Sequence, residues 1–206
     1  MIAKAKKHIG IYGGSFDPIH IGHLIVAQDC IEQFNLDEVV LVPAAASPLK
    51  SRSPRASDTH RINMVSKAVE NVANFSVSDI EIKRGGVSYS IDTVEAFRRL
   101  HPEAVLYWIL GRDQVNQLEH WHQIEDLVRA VKFLAVERPG FAAEDMPTSS
   151  IEVTRVRSHA IEISSTEIRD RFQHGLPNDL FLPRSVLAYI EENALYRADA
   201  SENTIK

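Results

Sequence analysis

The sequence predicts an α/β protein with a Rossmann-like fold, in which helices cover a doubly wound and mostly parallel sheet. Three observations predict it: short apolar runs alternate with amphipathic helical patterns, the first run ends in two glycines, and a helical pattern follows soon after them. Alternation of this kind produces right-handed βαβ crossovers. Because ligands of such folds bind beyond the carboxyl ends of the strands, we expect the site in the segments that follow the strands.

The strands are predicted from runs rich in Val, Ile, Leu and Phe. They lie at His8–Tyr12, Glu38–Val42, Phe75–Ile82, Val105–Leu110, Lys132–Val136 and Ile161–Ile163. Apolar residues at helical spacing lie between them. The clearest sets are Leu24, Ala27, Ile31 and Phe34, then Ile62, Val65, Val69 and Val72, and then Ile91, Val94, Phe97 and Leu100.

Length and composition predict a single domain. A chain of 206 residues with 44% hydrophobic residues can bury one core. We predict one domain over 1–206, in which 164–197 form a small C-terminal helical part. Pro139–Ser150 has the composition of a linker before the last third of the chain.

Charge and cysteine content indicate the class of binding partner and the cellular compartment. A formal net charge of −5 argues against binding to nucleic acid or to a membrane surface and favours a small-molecule partner. The single cysteine, Cys30, excludes an intramolecular disulfide and fits a reducing compartment. The apolar run after the basic residues Met1–Lys7 is too short for a signal peptide, so we expect a cytoplasmic protein.

The first chemical motif follows the first predicted strand. It reads Gly13-Gly14-Ser15-Phe16-Asp17-Pro18-Ile19-His20-Ile21-Gly22-His23. We expect Gly13 and Gly14 to take the positive φ of a tight turn and to let a phosphate approach the backbone. His20 and His23 should lie at a helix N-terminus, where free N–H groups favour an anion and residues three apart share a face. The alternative is a plain strand-to-helix turn in which the histidines cap or pack.

The second motif reads Ile163-Ser164-Ser165-Thr166-Glu167-Ile168-Arg169. Ser164 and Glu167 fit a capping box at the start of a helix. The hydroxyls and N–H groups of the same helix start also favour an anion, and Arg169 can add a bidentate phosphate contact. Taken by themselves, these residues leave capping and phosphate binding equally open.

A long loop follows the second predicted strand. Pro43–Ser57 contains three prolines and the basic residues Lys50, Arg52 and Arg55, and little that packs in a core. Loops of this length are often functional. We expect a mobile lid that closes over bound phosphates with Lys50 inward, the alternative being an ordinary solvated connection.

The two motifs resemble signatures of one superfamily. The first resembles the (T/S)-F-D-P-x-H-x-G-H signature of nucleotidyltransferases, which join a nucleotide to a phosphate-bearing acceptor. The second resembles the I-S-(S/T)-T-x-(I/V)-R signature of the members that transfer adenylyl groups. His20-Ile21-Gly22-His23 is also similar to the tetrapeptide of class I aminoacyl-tRNA synthetases, but the chain lacks their Lys-Met-Ser-Lys-Ser loop and room for a tRNA-binding domain.

Further segments resemble bacterial nicotinate-nucleotide adenylyltransferases. They are Gly111-Arg112-Asp113 with Leu118 and Trp121, Val87–Thr93, Glu137–Gly140 and Leu182–Arg197. The chain departs from that pattern at Ser90, where threonine is common, at His122, where an aromatic residue is common, and in Ala44–Lys50. The acceptor side is therefore matched less closely than the ATP side.

The resemblance implies adenylyl transfer from ATP to nicotinate mononucleotide, which yields deamido-NAD and pyrophosphate. It implies that His20, His23, Lys50 and Arg169 act on the phosphates. It assigns ATP binding to Gly13, Gly14, Ser15, Phe16, Gly111, Asp113, Ser164, Ser165 and Thr166, and acceptor binding to Ser88, Tyr89, Ser90, Trp121 and His122. Mg²⁺ is expected to arrive with ATP, since no residue cluster has the spacing of a dedicated metal site.

Alternatives to these assignments stay open. The acceptor can be another phosphate compound, such as nicotinamide mononucleotide or phosphopantetheine. The chain can also be a catalytically silent nucleotide-binding regulatory domain, although the intact histidines and Arg169 argue against it. For Asp113 the alternative role is a structural salt bridge, and for Trp121 it is a place in the core. The sequence does not predict the oligomeric state, and a homo-oligomer stays open.

Overall fold

The structure, a computed structural model, describes residues 6–46, 53–136, 151–159 and 161–197. One six-stranded sheet contains β1 (His8–Gly14), β2 (Glu38–Pro43), β3 (Phe75–Val77), β4 (Val105–Gly111), β5 (Lys132–Val136) and β6 (Val153–Val156). The strand order is β3-β2-β1-β4-β5-β6, and every neighbouring pair is parallel. The predicted Rossmann-like parallel sheet is confirmed, and its order reverses between β1 and β4.

Helices lie between the strands and after β6. They are α1 (Ile21–Phe34), α2 (Asp58–Val69), α3 (Ile80–Arg84), α4 (Ser90–Leu100), α5 (Arg112–Val115), α6 (Ile124–Ala130), α7 (Ser165–Gln173) and α8 (Arg184–Glu192), with a 3-10 turn at Leu118–His120. His20 is the N-cap of α1, as its place in the motif predicts. Ser57 caps α2, because its hydroxyl accepts the His60 N–H.

Apolar side chains fill both faces of the sheet. Alternate residues of β4 join different clusters, so that Trp108 lies on one face and Ile109 on the other. Val94 of α4 and Leu127 of α6 cover the first face, and Ala27 of α1 covers the second. Each large apolar side chain buried in this way contributes roughly 1.5–3 kcal/mol. This packing holds the strand ends in place at the edge where β1 and β4 stop.

The C-terminal helices belong to the same packed structure. Val186 and Ile190 of α8 share an apolar cluster with Met64 and Val65 of α2. The structure therefore does not set 164–197 apart as a subdomain, and the single domain stays a prediction.

The predicted strand Phe75–Ile82 is wrong in its second half. Pairing of β3 with β2 ends at Val77, and α3 begins at Ile80. The Lys83 N–H donates to the Asp79 carbonyl across one helical turn. The alternating apolar residues of this segment have the period of a strand, but the hydrogen bonds are those of a helix.

The strand predicted at Ile161–Ile163 is also wrong. Those residues have no strand structure, and the last strand among the described residues is β6, which pairs with β5. Thr154 and Arg155 make β6 too polar to stand out as a buried run. The helical pattern predicted from Ile62, Val65, Val69 and Val72 extends too far. The helix α2 ends at Val69, and Val72 is exposed.

Three predictions fall wholly or partly outside the described residues. They are the linker at Pro139–Ser150, the turn at Glu137–Gly140 and the lid at Pro43–Ser57 with Lys50, of which the structure describes only 43–46 and 53–57. Within the ranges that the structure describes, no helix combines the length and the apolar character needed to cross a membrane.

Candidate active site

A cleft of about 1110 Å³ opens beyond the carboxyl ends of the strands. It is lined by Gly13, Gly14, Ser15, Phe16, His20 and His23 of the first motif, by Ser164, Ser165, Thr166 and Arg169 of the second, and by Ser88, Tyr89, Ser90, Gly111, Asp113, Trp121 and His122. Every site residue predicted above is in this set except Lys50, which lies outside the described residues. The fold thus brings both motifs to the reversal point in strand order, where ligands bind in such sheets.

The two glycines at the end of β1, Gly13 and Gly14, do not form the predicted turn. β1 continues through Gly14, and the positive φ, 45°, belongs to Phe16. At Gly14 the constraint is space, because a Cβ there would lie 2.9 Å from the Phe16 ring. That ring is almost fully buried, so a side chain at position 14 would displace a core residue. Gly14 therefore lets the buried Phe16 ring fold back against the end of β1.

His20 and His23 lie side by side at the start of α1. Their rings stack with centroids 3.7 Å apart and planes inclined by 28°. The predicted shared face is therefore confirmed. The His20 backbone N–H donates to His23 Nδ1 at 3.2 Å, so a neutral His23 ring carries its hydrogen on Nε2.

Burial keeps the His20 ring uncharged at neutral pH. The residue is 5% exposed, and its burial lowers its pKa to about 4. Its Nδ1 is buried and has no hydrogen-bond partner in the part of the chain that the structure describes. A charged ring would leave a buried N–H without an acceptor there, which is costly. His20 therefore meets a ligand as a neutral hydrogen-bonding group.

The second motif starts α7 as expected. Ser164 is the N-cap, and its hydroxyl accepts the Glu167 N–H at 3.1 Å, so this half of the predicted capping box is confirmed. The Ser165 hydroxyl donates to the Pro18 carbonyl at 2.8 Å. The helix start is thereby attached directly to the loop that carries the two histidines.

Asp17 joins that loop to three other segments. Its carboxylate accepts the Arg55 and Ala56 N–H groups at 2.8 and 3.0 Å and the Tyr196 hydroxyl at 2.8 Å. Its backbone carbonyl accepts from Arg169 Nη1 at 2.8 Å. Burial and the adjacent Asp17 carboxylate raise the pKa of Tyr196, so the phenol keeps its hydrogen and acts as the donor.

Arg61 is a residue that sequence reasoning missed. Its side chain is 0% exposed, and its guanidinium donates to the carbonyls of Ser15 and Ala44, both at 2.7 Å. It also pairs with Asp58 at 2.6 Å. Arg61 therefore ties the end of β1 to the end of β2 beside the cleft. The signal in the sequence is an arginine three residues before the buried Met64, on the apolar face of α2.

Two polar residues of α1, Asp29 and Gln33, were also not predicted from the sequence, and they fix one wall of the cleft. The buried Asp29 carboxylate accepts from the Ser158 hydroxyl at 2.9 Å, the His159 N–H at 3.0 Å and His159 Nδ1 at 2.8 Å. The Gln33 side chain bonds both backbone groups of Arg157, at 2.7 and 3.0 Å. Because Ser158 and His159 line the cleft, α1 sets the position of this wall.

Asp113 follows β4 and lies in the first turn of α5. Its Oδ1 would be only 2.6 Å from a Cβ added at Gly111, so a side chain at 111 would push the carboxylate away. None of the residues that the structure describes forms an ion pair with Asp113. The salt-bridge alternative therefore finds no support there, and the carboxylate faces the cleft.

The predicted acceptor residues come from the segment before α4 and the segment after the 3-10 turn. The Tyr89 and His122 rings lie 4.3 Å apart at 34°. Trp121 packs edge-on against Trp108, with centroids 6.3 Å apart at 87°. Its buried Nε1–H has no acceptor among the described residues. Trp121 is therefore anchored in the core and also forms part of the cleft.

Helix α4 begins beside these rings without a side-chain cap. Its N-cap is Tyr89, which makes no capping hydrogen bond, and Ser90 is its first residue. The Ser88 hydroxyl accepts the Ala45 N–H at 2.9 Å and so contacts the protein instead. The first-turn N–H groups of α4 and the Ser90 hydroxyl are the donors that remain for an anionic ligand.

The fold and the site together define an α/β nucleotide-binding protein whose phosphate motifs meet at the end of β1. The family model described as cytidylyltransferase-like matches residues 11–171. A protein of Opitutus terrae named "Probable nicotinate-nucleotide adenylyltransferase" is 47% identical, over 92% of this chain and 97% of its own length. The nicotinate-nucleotide adenylyltransferase of Bacillus subtilis is 36% identical, over 93% of this chain and 100% of its own length.

Solved structures agree with these relatives. The Plasmodium falciparum nicotinic acid mononucleotide adenylyltransferase complexed with NaAD is 27% identical with a TM-score of 0.75, over 92% of this chain and 97% of that one. Its complex with APC gives 26% identity and a TM-score of 0.73 over the same shares. The chain therefore belongs to the cytidylyltransferase-like family, among the nicotinate-nucleotide adenylyltransferases.

Proposed function

We propose that the protein transfers the adenylyl group of ATP to nicotinate mononucleotide, forming deamido-NAD and releasing pyrophosphate. One observation carries the proposal: both phosphate motifs, Asp113 and the acceptor residues line a single cleft. At about 1110 Å³ the cleft exceeds the ~300–1,000 Å³ typical of a site for one ligand, so it has room for two nucleotides. The names of the relatives support the same reaction and a place in NAD biosynthesis.

The reaction needs no protein nucleophile. A 5′-phosphate oxygen of nicotinate mononucleotide attacks the α-phosphorus of ATP. The new P–O bond forms while the bond from the α-phosphorus to the bridging oxygen breaks, and pyrophosphate leaves with that electron pair. Because the attacking oxygen is already anionic, no residue has to remove a proton. Catalysis then consists of positioning the two phosphates and stabilising charge in the transition state.

The two motifs supply that stabilisation. His20 and His23 donate to α- and β-phosphate oxygens, with His23 using the Nε2–H that its contact with His20 defines. The start of α7 binds the β- and γ-phosphates through the Ser164 and Thr166 hydroxyls and through its free N–H groups, including that of Ser165, whose hydroxyl donates to the Pro18 carbonyl. Arg169 and Lys50 neutralise the polyphosphate, and Asp113 accepts from the adenosine ribose hydroxyls.

Magnesium enters with ATP as part of the substrate. The described ranges contain no group of three or more His, Cys, Asp and Glu side chains arranged to hold a metal ion. Mg²⁺ commonly binds through substrate phosphates while it keeps several waters. Bound to ATP, it offsets the charge of the polyphosphate during transfer.

The acceptor end favours a pyridine carboxylate. Trp121 and the Tyr89–His122 pair provide ring planes for the pyridine. The uncapped start of α4 and the Ser90 hydroxyl provide donors for the carboxylate. An amide in the same position would turn its own NH₂ donors toward these donors. Nicotinate mononucleotide is therefore favoured over nicotinamide mononucleotide as the acceptor.

Pyrophosphate release from ATP tests the function directly. The assay uses nicotinate mononucleotide, nicotinamide mononucleotide, phosphopantetheine or no acceptor, and mass spectrometry identifies the product. We expect release with nicotinate mononucleotide and deamido-NAD as its product. Release with phosphopantetheine alone would assign a different acceptor. No release with any acceptor would instead support the silent regulatory domain.

A further inference from the structure

His159 and Asp29 form a polar pair beside the cleft that the proposed mechanism does not use. The His159 Nδ1 atom lies 2.8 Å from Asp29 Oδ1, and the two side chains are 74% and 5% exposed. Asp29 belongs to α1, whereas His159 follows β6 and lines the cleft. The carboxylate is therefore buried in the protein, while the ring is open to the space in which a ligand binds.

The hydrogen bonds of Asp29 define the tautomer of the His159 ring. Asp29 Oδ2 accepts from the Ser158 hydroxyl at 2.9 Å and from the His159 backbone N–H at 3.0 Å, and Oδ1 contacts the ring. Because a carboxylate only accepts, a neutral ring carries its hydrogen on Nδ1. Nε2 is then an acceptor, and none of the described residues hydrogen-bonds it. His159 thus presents an oriented acceptor to the cleft.

Apolar side chains surround this acceptor and form a slot along one face of α1. Ile25 and Val26 of the helix line the cleft there, together with Val136 at the end of β5 and Ile161. Ile161 lies close to the start of α1, since a Cβ added at Gly22 would be 3.8 Å from its Cγ2. Apolar walls with a few placed polar groups are typical of small-ligand sites. The slot therefore suits a flat ring system that carries a hydrogen-bond donor.

The order of the strand ends indicates which part of a nucleotide reaches the slot. Across the sheet from β1, the next strands are β4, β5 and β6. The two histidines proposed to bind phosphate follow β1, Asp113, proposed to bind the ribose, follows β4, and His159 follows β6. Phosphate, ribose and base are joined in the same order in a nucleotide. The acceptor wall lies on the other side, where Ser88 contacts the segment after β2.

We propose that His159 determines the choice of nucleotide by accepting, at Nε2, a hydrogen bond from the 6-amino group of adenine, and that Asp29 positions it by fixing the tautomer. The 6-amino group of adenine donates, whereas the 6-oxygen of guanine and of hypoxanthine accepts. Inosine triphosphate (ITP), which carries hypoxanthine, would therefore place an acceptor against an acceptor. This inference rests on the proposed function and adds the group by which the cleft selects ATP.

Calorimetric titration with the magnesium complexes of ATP and ITP, at about pH 8 and without an acceptor nucleotide, tests the proposal independently of catalysis. We expect the wild-type protein to bind ATP about 10-fold more tightly than ITP. His159→Phe keeps a ring of similar size and removes both nitrogens, so its two Kd values should agree within about 2-fold.

His174→Phe is the matched control for this variant. His174 is also an exposed histidine beside an aspartate, Asp170, but it lies at the end of α7 and does not line the cleft. It should keep the wild-type ratio of the two Kd values.

Asp29→Asn tests the tautomer itself. Its amide oxygen can keep the bonds from Ser158 and from the His159 backbone, which turns its NH₂ group toward Nδ1 of the ring. The ring then carries its hydrogen on Nε2 and donates to the 6-oxygen of ITP. We expect this variant to bind ITP more tightly than ATP, a reversal that a purely structural role of Asp29 would not produce.

The outcomes separate this inference from the proposed function. Equal Kd values for ATP and ITP in wild type, or an unchanged ratio in His159→Phe, would overturn the proposal, and these two results do not depend on the folding of Asp29→Asn. An Asp29→Asn protein that folds and still prefers ATP as wild type does would also overturn it. A wild-type protein that selects ATP but transfers no adenylyl group would instead overturn the proposed function alone.

Discussion

The two histidines of the cleft are prepared as hydrogen-bonding groups in different ways. Burial lowers the pKa of His20 to about 4, so this ring is neutral at physiological pH. His23 has its tautomer defined by the backbone N–H of His20. Donors held in place before the reaction stabilise developing charge without reorganisation. The stacked pair therefore suits an oxygen whose charge grows in the transition state.

Replacement of His23 should affect the rate more than binding. We expect His23→Ala to lower kcat on the order of 10²–10³-fold, while the KM for ATP changes much less, because the lost contact acts mainly on the transition state. Steady-state pyrophosphate release measures both constants. His174→Ala, a change to an exposed histidine at the end of α7, is the control. A His23→Ala enzyme within a few-fold of wild type would remove His23 from the mechanism.

The buried ring of His20 should also make stability depend on pH. Its pKa falls from 6.5 to about 4 on folding, so the unfolded chain takes up a proton first and folding loses stability as pH drops below 6.5. Between pH 7 and 5 this loss amounts to about 2 kcal/mol. Urea unfolding at both pH values should show wild type losing about 2 kcal/mol more than His20→Gln. Equal losses in the two proteins would contradict the burial argument.

Among the elements, α2 has a part in the site that its sequence pattern does not reveal. Its apolar face includes Arg61, whose guanidinium joins the carbonyls that follow β1 and β2. The ion-pair partner of Arg61, Asp58, is half exposed to solvent. The buried partners of the guanidinium are therefore the two backbone carbonyls. The end of β1, which carries the first motif, and the end of β2 therefore both depend on one helix that carries no predicted site residue.

Loss of Arg61 should be strongly destabilising. We expect Arg61→Met to lower the free energy of unfolding by about 3–5 kcal/mol, because it leaves two carbonyls without their donor and removes a fully buried group. Urea unfolding measures this change. Arg129→Met is the matched control, since Arg129 pairs with Glu125 and Asp126 on the surface, and it should change stability by less than about 1 kcal/mol. Equal effects for the two variants would show that the Arg61 contacts contribute little.

The sequence predicts those helices and strands whose apolar residues form a clear pattern. Glu38–Val42, Val105–Leu110 and Lys132–Val136 are apolar runs covered on both faces, and the strands β2, β4 and β5 match them within one residue. β6 lies at the edge of the sheet, where polar side chains are tolerated and the apolar signal disappears. α3 has only five residues, too few for a helical period to show.

The same distinction holds for the site. His20, His23, Ser165 and Arg169 lie in contiguous motifs whose spacing carries chemical meaning, and the structure brings them into one cleft. Arg61 and Asp29 act through contacts with residues far away in the chain or in other elements. Their partners could not be read from spacing, although a charged residue on an apolar helix face was a usable signal.

At the scale of the whole molecule, the reversal of strand order creates a cleft with two chemically different ends. The end proposed for ATP combines both motifs with Asp113, and the end proposed for the acceptor combines ring planes with an uncapped helix start. Neither end alone explains a transfer reaction. The central claim is therefore that two nucleotides, one with a carboxylate on its pyridine ring, occupy this cleft together.

The most direct test of that claim is kcat/KM for nicotinate mononucleotide and nicotinamide mononucleotide, measured side by side at saturating ATP. Replacing the carboxylate by the amide loses a charge-assisted hydrogen bond and leaves a buried donor unpaired, which costs roughly 1.5–3 kcal/mol. The ratio should therefore favour the nicotinate compound at least ~10-fold, and Trp121→Ala should raise its KM. Equal kcat/KM values for the two mononucleotides, or an unchanged acceptor KM in Trp121→Ala, would contradict the account.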